Sequence, residues 1–187
     1  PFEDEGGWGY EGPQPERGSA LLWMEAGIGG PGYAGSGRGA IRIEATTGGV
    51  TLGATTGVYV DRRVAVVAQL WAQSSFGGLA ERQRFDTVIT LGFGLTAELG
   101  NDVVYTLAFG PAMVSSTVPD PTLDWVRPVL GGGGRISVGK LWYRARGPGH
   151  GVVFSVAVMG QSNKKPDRGP RWHLHMLPTI GYMAAWR

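Results

Sequence analysis

The chain has 187 residues, with 17 Lys and Arg against 15 Asp and Glu, 33 glycines and no cysteine. That length suits one domain with a tail, a net charge of +2 gives no electrostatic case for nucleic acid, and the missing thiols exclude disulfides, Cys-based zinc sites and cysteine nucleophiles. No run of about 18 apolar residues occurs, so no transmembrane helix is expected.

Residues 1–18, PFEDEGGWGYEGPQPERG, are acidic, rich in Gly and Pro, and without periodicity. They read as a flexible N-terminal tail, with residues 19–187 as the folded domain. No basic and apolar leader opens the sequence, so an exported protein would have had its signal peptide removed.

The first strand is expected over about Ser19–Gly30, with Leu22, Met24, Ala26 and Ile28 on one face and Trp23, Glu25, Gly27 and Gly29 on the other. Gly27–Gly32 happens to match G-x-G-x-x-G, but Pro31 follows and no helix begins, so the dinucleotide reading fails. PGYAGSG (31–37) reads as a loop. Residues 40–47 alternate and read as a strand extension beyond the membrane or as a whole extra strand; their Arg42 and Glu44 suit an extramembrane hairpin better than a bilayer-embedded strand. Gly48-Gly49 marks a turn or kink. Val50–Val60 and Val64–Ser74 follow as strands, joined at Asp61-Arg62-Arg63, with a polar loop expected over 75–85.

Asp86–Val118 carries the clearest signal. Ile89, Leu91, Phe93, Leu95 and Leu99 share one face, and Thr90, Gly92, Gly94, Thr96 and Glu98 the other, before a tight turn at Gly100-Asn101-Asp102 leads into a second alternating run. Residues 119–124 form a loop. Trp125–Ala145 reads as one long strand with a slip in alternation near Lys140, hence an expected bulge. Val152–Gln161, a polar loop at 163–170 and a last strand at Arg171–Arg187 complete the chain.

About eight long strands result, with short turns after the second, fourth and sixth and longer connections after the others. The expected fold is all-β: a closed, antiparallel, up-and-down transmembrane β-barrel. A soluble barrel would carry charge on its outward positions. Here Val50–Val60, Val64–Leu79, Thr87–Ala97, Val103–Val118, Val152–Asn163 and Trp172–Trp186 contain no Asp, Glu, Lys or Arg. In water such a wall would aggregate; in lipid it is required, because a mid-bilayer cation costs ~2–4 kcal/mol.

The chain resembles the small eight-stranded outer-membrane barrels of Gram-negative bacteria, the OmpA/OmpX-like group. The resemblance covers about residues 19–187 and rests on strand pattern. It includes a last strand with spaced aromatics, Tyr182 and Trp186, the type of ending that barrel-assembly machinery reads; Arg187 after the aromatic departs from it. The resemblance implies a bacterial outer-membrane location.

An eight-stranded lumen is just wide enough for side chains to fill. Its polar set is expected to be Glu25, Glu98, Arg135, Gln69, Gln73 and Tyr59, with Arg135 bridging Glu25 and/or Glu98, because buried charges must pair. His173 and His175 fall on one strand face, but no third ligand accompanies them, so no metal or cofactor is expected. Ser137 and Ser155 are nucleophile candidates by residue type alone. Lys164, Lys165, Arg168 and Arg171 form a basic outer loop that could meet lipopolysaccharide phosphates.

The sequence reading is thus a non-enzymatic, side-chain-filled outer-membrane barrel in a structural or partner-binding role. Its expected partners are membrane lipid, lipopolysaccharide, and a protein engaged by the loops or the tail, with no nucleic acid. The alternatives are a narrow channel or carrier for small apolar molecules, a lipid-modifying enzyme, and a soluble ligand-binding barrel.

Overall fold

The computed structural model describes residues 16–30, 32–38, 42–77, 84–99, 102–116, 129–142, 148–165 and 169–186. In chain order the strands are β1 (Ala20–Gly29), β2 (Gly32–Arg38), β3 (Arg42–Tyr59), β4 (Val64–Gly77), β5 (Arg84–Leu99), β6 (Val103–Ser116), β7 (Val129–Trp142), β8 (Gly149–Lys165) and β9 (Gly169–Trp186). Both β1 and β2 lie between β3 and β9: Gly29 is opposite Gly49 and Thr179, and Tyr33 is opposite Ala45 and Met176. They are two halves of one stave, interrupted beside Pro31, a residue type with no N–H to give the ladder. The result is a closed antiparallel barrel of eight staves, shut by the β1–β9 pairing.

The wall alternates as period-2 strands must. On β5, Ile89, Leu91, Phe93 and Leu95 are exposed, while Val88, Thr90, Gly92 and Thr96 are buried inside. The same holds around the barrel: Leu52 is 63% exposed, Phe109 59% and Ile136 56%. A continuous apolar girdle of this kind rejects the soluble-barrel alternative, because water would drive such surfaces together. The chain is a membrane barrel that crosses with strands.

Glycine makes room inside. A Cβ on Gly53 would collide with the Glu25 carboxylate, and one on Gly92 would strike the Trp71 ring. A narrow barrel holds a few large side chains only where the facing position is empty.

Several boundaries differ from the sequence reading. Residues 32–38 are strand, not loop. The 40–47 segment is, from Arg42, the far end of β3, as its extension reading has it. Gly48-Gly49 lies within β3 beside a register shift between Thr46 and Gly48, a kink rather than a turn. The expected 75–85 loop is strand to Gly77 and again from Arg84, and the expected 163–170 loop is strand to Lys165 and from Gly169. In each case backbone pairing to a neighbour carries the strand past its apolar stretch. No bulge occurs near Lys140: β7 keeps unbroken register with both neighbours. The apparent slip arises because Leu141 is an apolar residue on an inward position, where it is fully buried.

Two ends can be distinguished. The Asp61–Arg63 turn, the turn reaching Asp102 and the starts of β1 and β8 define a turn end. The opposite end, here the loop end, is where β4 stops at Gly77, β5 starts at Arg84, β6 stops at Ser116 and β9 starts at Gly169. At the turn end the chain before β1 is tied to the wall: Gly18 N–H donates to the Tyr59 carbonyl (2.7 Å) with Gly18 at φ +87°. Residues 1–15 of the expected tail lie outside the described residues.

Candidate functional site in the lumen

Inward positions near the turn end are apolar. Leu21 and Trp23 from β1, Tyr59 from β3, Ala65 and Val67 from β4, and Val104, Leu141, Val153, Met183 and Ala185 form one buried cluster. Trp23 on β1 and Leu141 on β7 belong to this one cluster although their staves are not neighbours, so large side chains meet inside the barrel. Tyr59 O–H donates to the Glu98 carboxylate, which satisfies one of the few acids at this level.

Arg135 lies directly above this cluster. It forms an ion pair with Glu25, both groups being nearly inaccessible. Its Nη2 also donates to Ser155 Oγ at 2.9 Å, and Ser155 Oγ lies 2.6 Å from Thr179 Oγ1. The chain Glu25–Arg135–Ser155–Thr179 therefore runs from β1 across the lumen to β7, β8 and β9. Away from water an ion pair needs its remaining donors satisfied; Ser155 serves Nη2, whereas Arg135 Nε has no hydrogen-bond partner among the described residues. Gln69 donates to Thr55 Oγ1 (2.9 Å), and Thr96 and Thr106 join across β5 and β6 (2.9 Å) at a neighbouring level. Glu98 meets Tyr59, and Arg135 meets Glu25.

The loop half differs. Thr51, Gln73, Ser75, Asp86, Thr90 and His175 are all buried there, mixed with the small apolar cluster of Val88, Ala112, Val114 and Met159. His175 Nε2 stands 3.5 Å from Asp86 Oδ2. Among the described residues, Thr51 Oγ1, Thr90 Oγ1 and Gln73 Oε1 have no hydrogen-bond partner here, as Trp23 Nε1, Gln69 Oε1 and Arg135 Nε have none nearer the turn end. Groups of that kind take ordered water when space permits.

Of the residues expected from sequence, Glu25, Arg135, Gln69 and Tyr59 converge on the central and turn-end levels, with Glu98 on Tyr59. Gln73 sits apart in the loop half. Ser155 is bonded to Arg135 and Thr179 rather than to a histidine. Among the described residues no group of three His, Asp or Glu could hold a metal. The side chain of His173 lies outside the described residues. Lys164 and Lys165 are on β8 and Arg171 on β9, with Lys164 opposite Pro170 and Asn163 opposite Arg171. The basic cluster is therefore the tip of a strand hairpin rather than a loop; Arg168 and the side chains of the other three lie outside the described residues. Sequence reasoning missed Asp86, treating it as the strand's first residue. Its parity with Val88, Thr90 and Gly92 marks it as inward. It also missed Thr179 as an Arg135-network member, although it shares a face with His175.

No family model matches the chain, and no curated protein matches it. Solved structures do. Neisserial surface protein A (NspA) aligns over 90% of this chain and 99% of its own, at 8% identity and TM-score 0.51. The attachment invasion locus protein Ail of Yersinia pestis aligns over 91% and 100%, at 8% identity and TM-score 0.44. OprG from Pseudomonas aeruginosa aligns over 93% and 99%, at 11% identity and TM-score 0.43. The chain has the fold of the small eight-stranded outer-membrane barrels.

Proposed function

We propose that this membrane barrel resides in a bacterial outer membrane as a non-enzymatic protein with a side-chain-filled lumen, acting structurally or by binding partners at its surface. The observation that carries the reading is the ion pair of Arg135 with Glu25, stacked on the cluster around Trp23, Tyr59 and Leu141. A barrel filled at that level offers solutes no through path, which leaves its ends and outer wall as working surfaces. The girdle of exposed Leu, Phe and Ile supports a bilayer setting.

The β8–β9 hairpin tip, with Lys164, Lys165, Arg168 and Arg171, is the proposed contact for lipopolysaccharide phosphates, since cations hold phosphate by charge-assisted hydrogen bonds. Replacing all four with Gln should weaken binding of purified lipopolysaccharide while heat-modifiable gel migration stays as in the wild type. Unchanged binding would remove this partner. Mass spectrometry of lipid A from expressing cells should show no new species; a modified lipid A would replace the reading with an enzyme.

A further inference from the structure

Two strands outrun the ladder that joins them. The pairing of β7 with β8 ends where Gly132 is opposite Gly160, yet β7 begins at Val129 and β8 continues to Lys165. Over 129–131 β7 keeps its pairing with β6, and over 161–165 β8 keeps its pairing with β9. Among the described residues, the β7 side of β8 is therefore an open strand edge over 161–165, with backbone N–H and C=O groups presented along it at alternate residues. Strand geometry sets its height. From Trp142 to Gly132 β7 advances about ten residues, which at ~3.3 Å per residue and a tilt of ~40° climbs ~25 Å, the height of the apolar band. Residues 161–165 stand beyond that band, in water; an open edge within lipid would leave its backbone groups unsatisfied.

The register also gathers charge at this edge. Beside β8 stand β9, then β2, then β3. Arg171 is opposite Asn163 on one side and Arg38 on the other, Lys164 is opposite Pro170, and Arg42 is opposite Ser36. With Lys165 these residues bring five cations to the four strand ends, against Glu44 as the one acid among their described residues. Arg38 and Arg171 hold directly opposed positions, where like charges repel, and an anionic partner offsets that cost. We propose that the edge of β8 at 161–165 takes up an extended, acidic segment of another protein as an added β-strand. This rests on the proposed reading of a filled barrel that works at its surface. The backbone edge supplies affinity through main-chain hydrogen bonds, and the cations supply selection. A second copy of this strand fails on charge, since it would set Lys164 and Lys165 against their own kind, the way lysines guard strand edges against self-pairing. Lipopolysaccharide phosphates match the cations but are acceptors only, so they leave the edge carbonyls unpaired.

The test uses the full chain in phosphatidylcholine nanodiscs and a short peptide of alternating Glu and Val, with hydrogen exchange of the backbone amides and peptide affinity as the readouts. The acidic peptide should slow exchange within 161–165 and leave the girdle amides unchanged. A version N-methylated throughout keeps the charge but has no main-chain donor; its affinity should fall about tenfold, the worth of two lost hydrogen bonds. Lys164→Gln with Lys165→Gln should lower affinity for the acidic peptide about fivefold, and the matching Lys–Val peptide should not bind. Equal binding of the methylated peptide would overturn the added strand in favour of plain charge attraction, and binding of the Lys–Val peptide would overturn the choice of an acidic partner. Protection of 161–165 by purified lipopolysaccharide and not by the peptide would give the edge to lipid. Heat-modifiable migration and bilayer conductance of the same protein are read alongside. Lost migration or discrete current steps would overturn the filled barrel itself, whereas a closed, silent barrel with no peptide protection sinks the added strand alone.

Discussion

On the turn side of Arg135 the lumen is filled mostly by carbon: Leu21, Trp23, Val67, Leu141 and Met183 pack in one cluster, and Glu98 meets Tyr59. On the loop side the interior is a mixture in which Thr51, Gln73, Ser75, Asp86, Thr90 and His175 are buried beside only a small apolar group. The wall around both halves is the same alternating ladder, so the difference lies wholly in which residues occupy inward positions. Apolar side chains seal by shape, and the cost of a hole among them is cavity energy. Polar side chains seal only through complete hydrogen bonding, and unmatched groups such as Thr90 Oγ1 mark where water would enter. Arg135 and Glu25 stand at the boundary and serve both.

The largest expected effect comes from breaking that boundary on one side. Arg135→Met leaves Glu25 as an uncompensated buried charge and should destabilise the barrel by ~3–5 kcal/mol, while adding Glu25→Leu should recover most of the loss. Urea unfolding in lipid vesicles reads both. If the double variant is as unstable as the single one, the ion pair is not what links the halves.

Next in size is a hole on the carbon side. Leu141→Ala removes a fully buried side chain from the cluster and should cost ~2–5 kcal/mol. A cost below 1 kcal/mol on the scale of that principle would mean that the turn half is loosely filled.

A finer comparison uses threonine against its isostere. Thr106 is hydrogen-bonded to Thr96, so Thr106→Val should cost about 1 kcal/mol; Thr90, with no partner for its hydroxyl among the described residues, should accept Val at no cost or with a small gain. Equal costs at the two positions would erase the distinction between a satisfied and an unsatisfied level.

Much of this was legible in the sequence, because strand parity is a hard constraint. Ile89, Phe93, Thr90 and Thr96 take the faces that alternation assigns them, and the absence of charge on six long segments marks the lipid side without any contact information. Parity also supplies the lumen set of Glu25, Arg135, Gln69 and Gln73. It cannot supply height, since the stagger between staves decides which inward residues meet. Arg135 therefore reaches Glu25, and Asp86 reaches His175 from the opposite side of the barrel, through register alone. Leu141 misled for a different reason: an apolar inward residue looks like a phase slip when the lumen is expected to be polar. Strand ends at 32–38 and 161–165 were hidden because polar residues outside the girdle still pair through their backbones.

The measurement that bears most directly on the filled lumen is single-channel conductance across a planar lipid bilayer. Wild-type protein confirmed as inserted should give no discrete current steps, and the Arg135→Gly, Glu25→Gly double variant should still give little current while the Trp23–Leu141 cluster stands. Regular ion-conducting steps from the wild type would contradict the account and make the chain a channel.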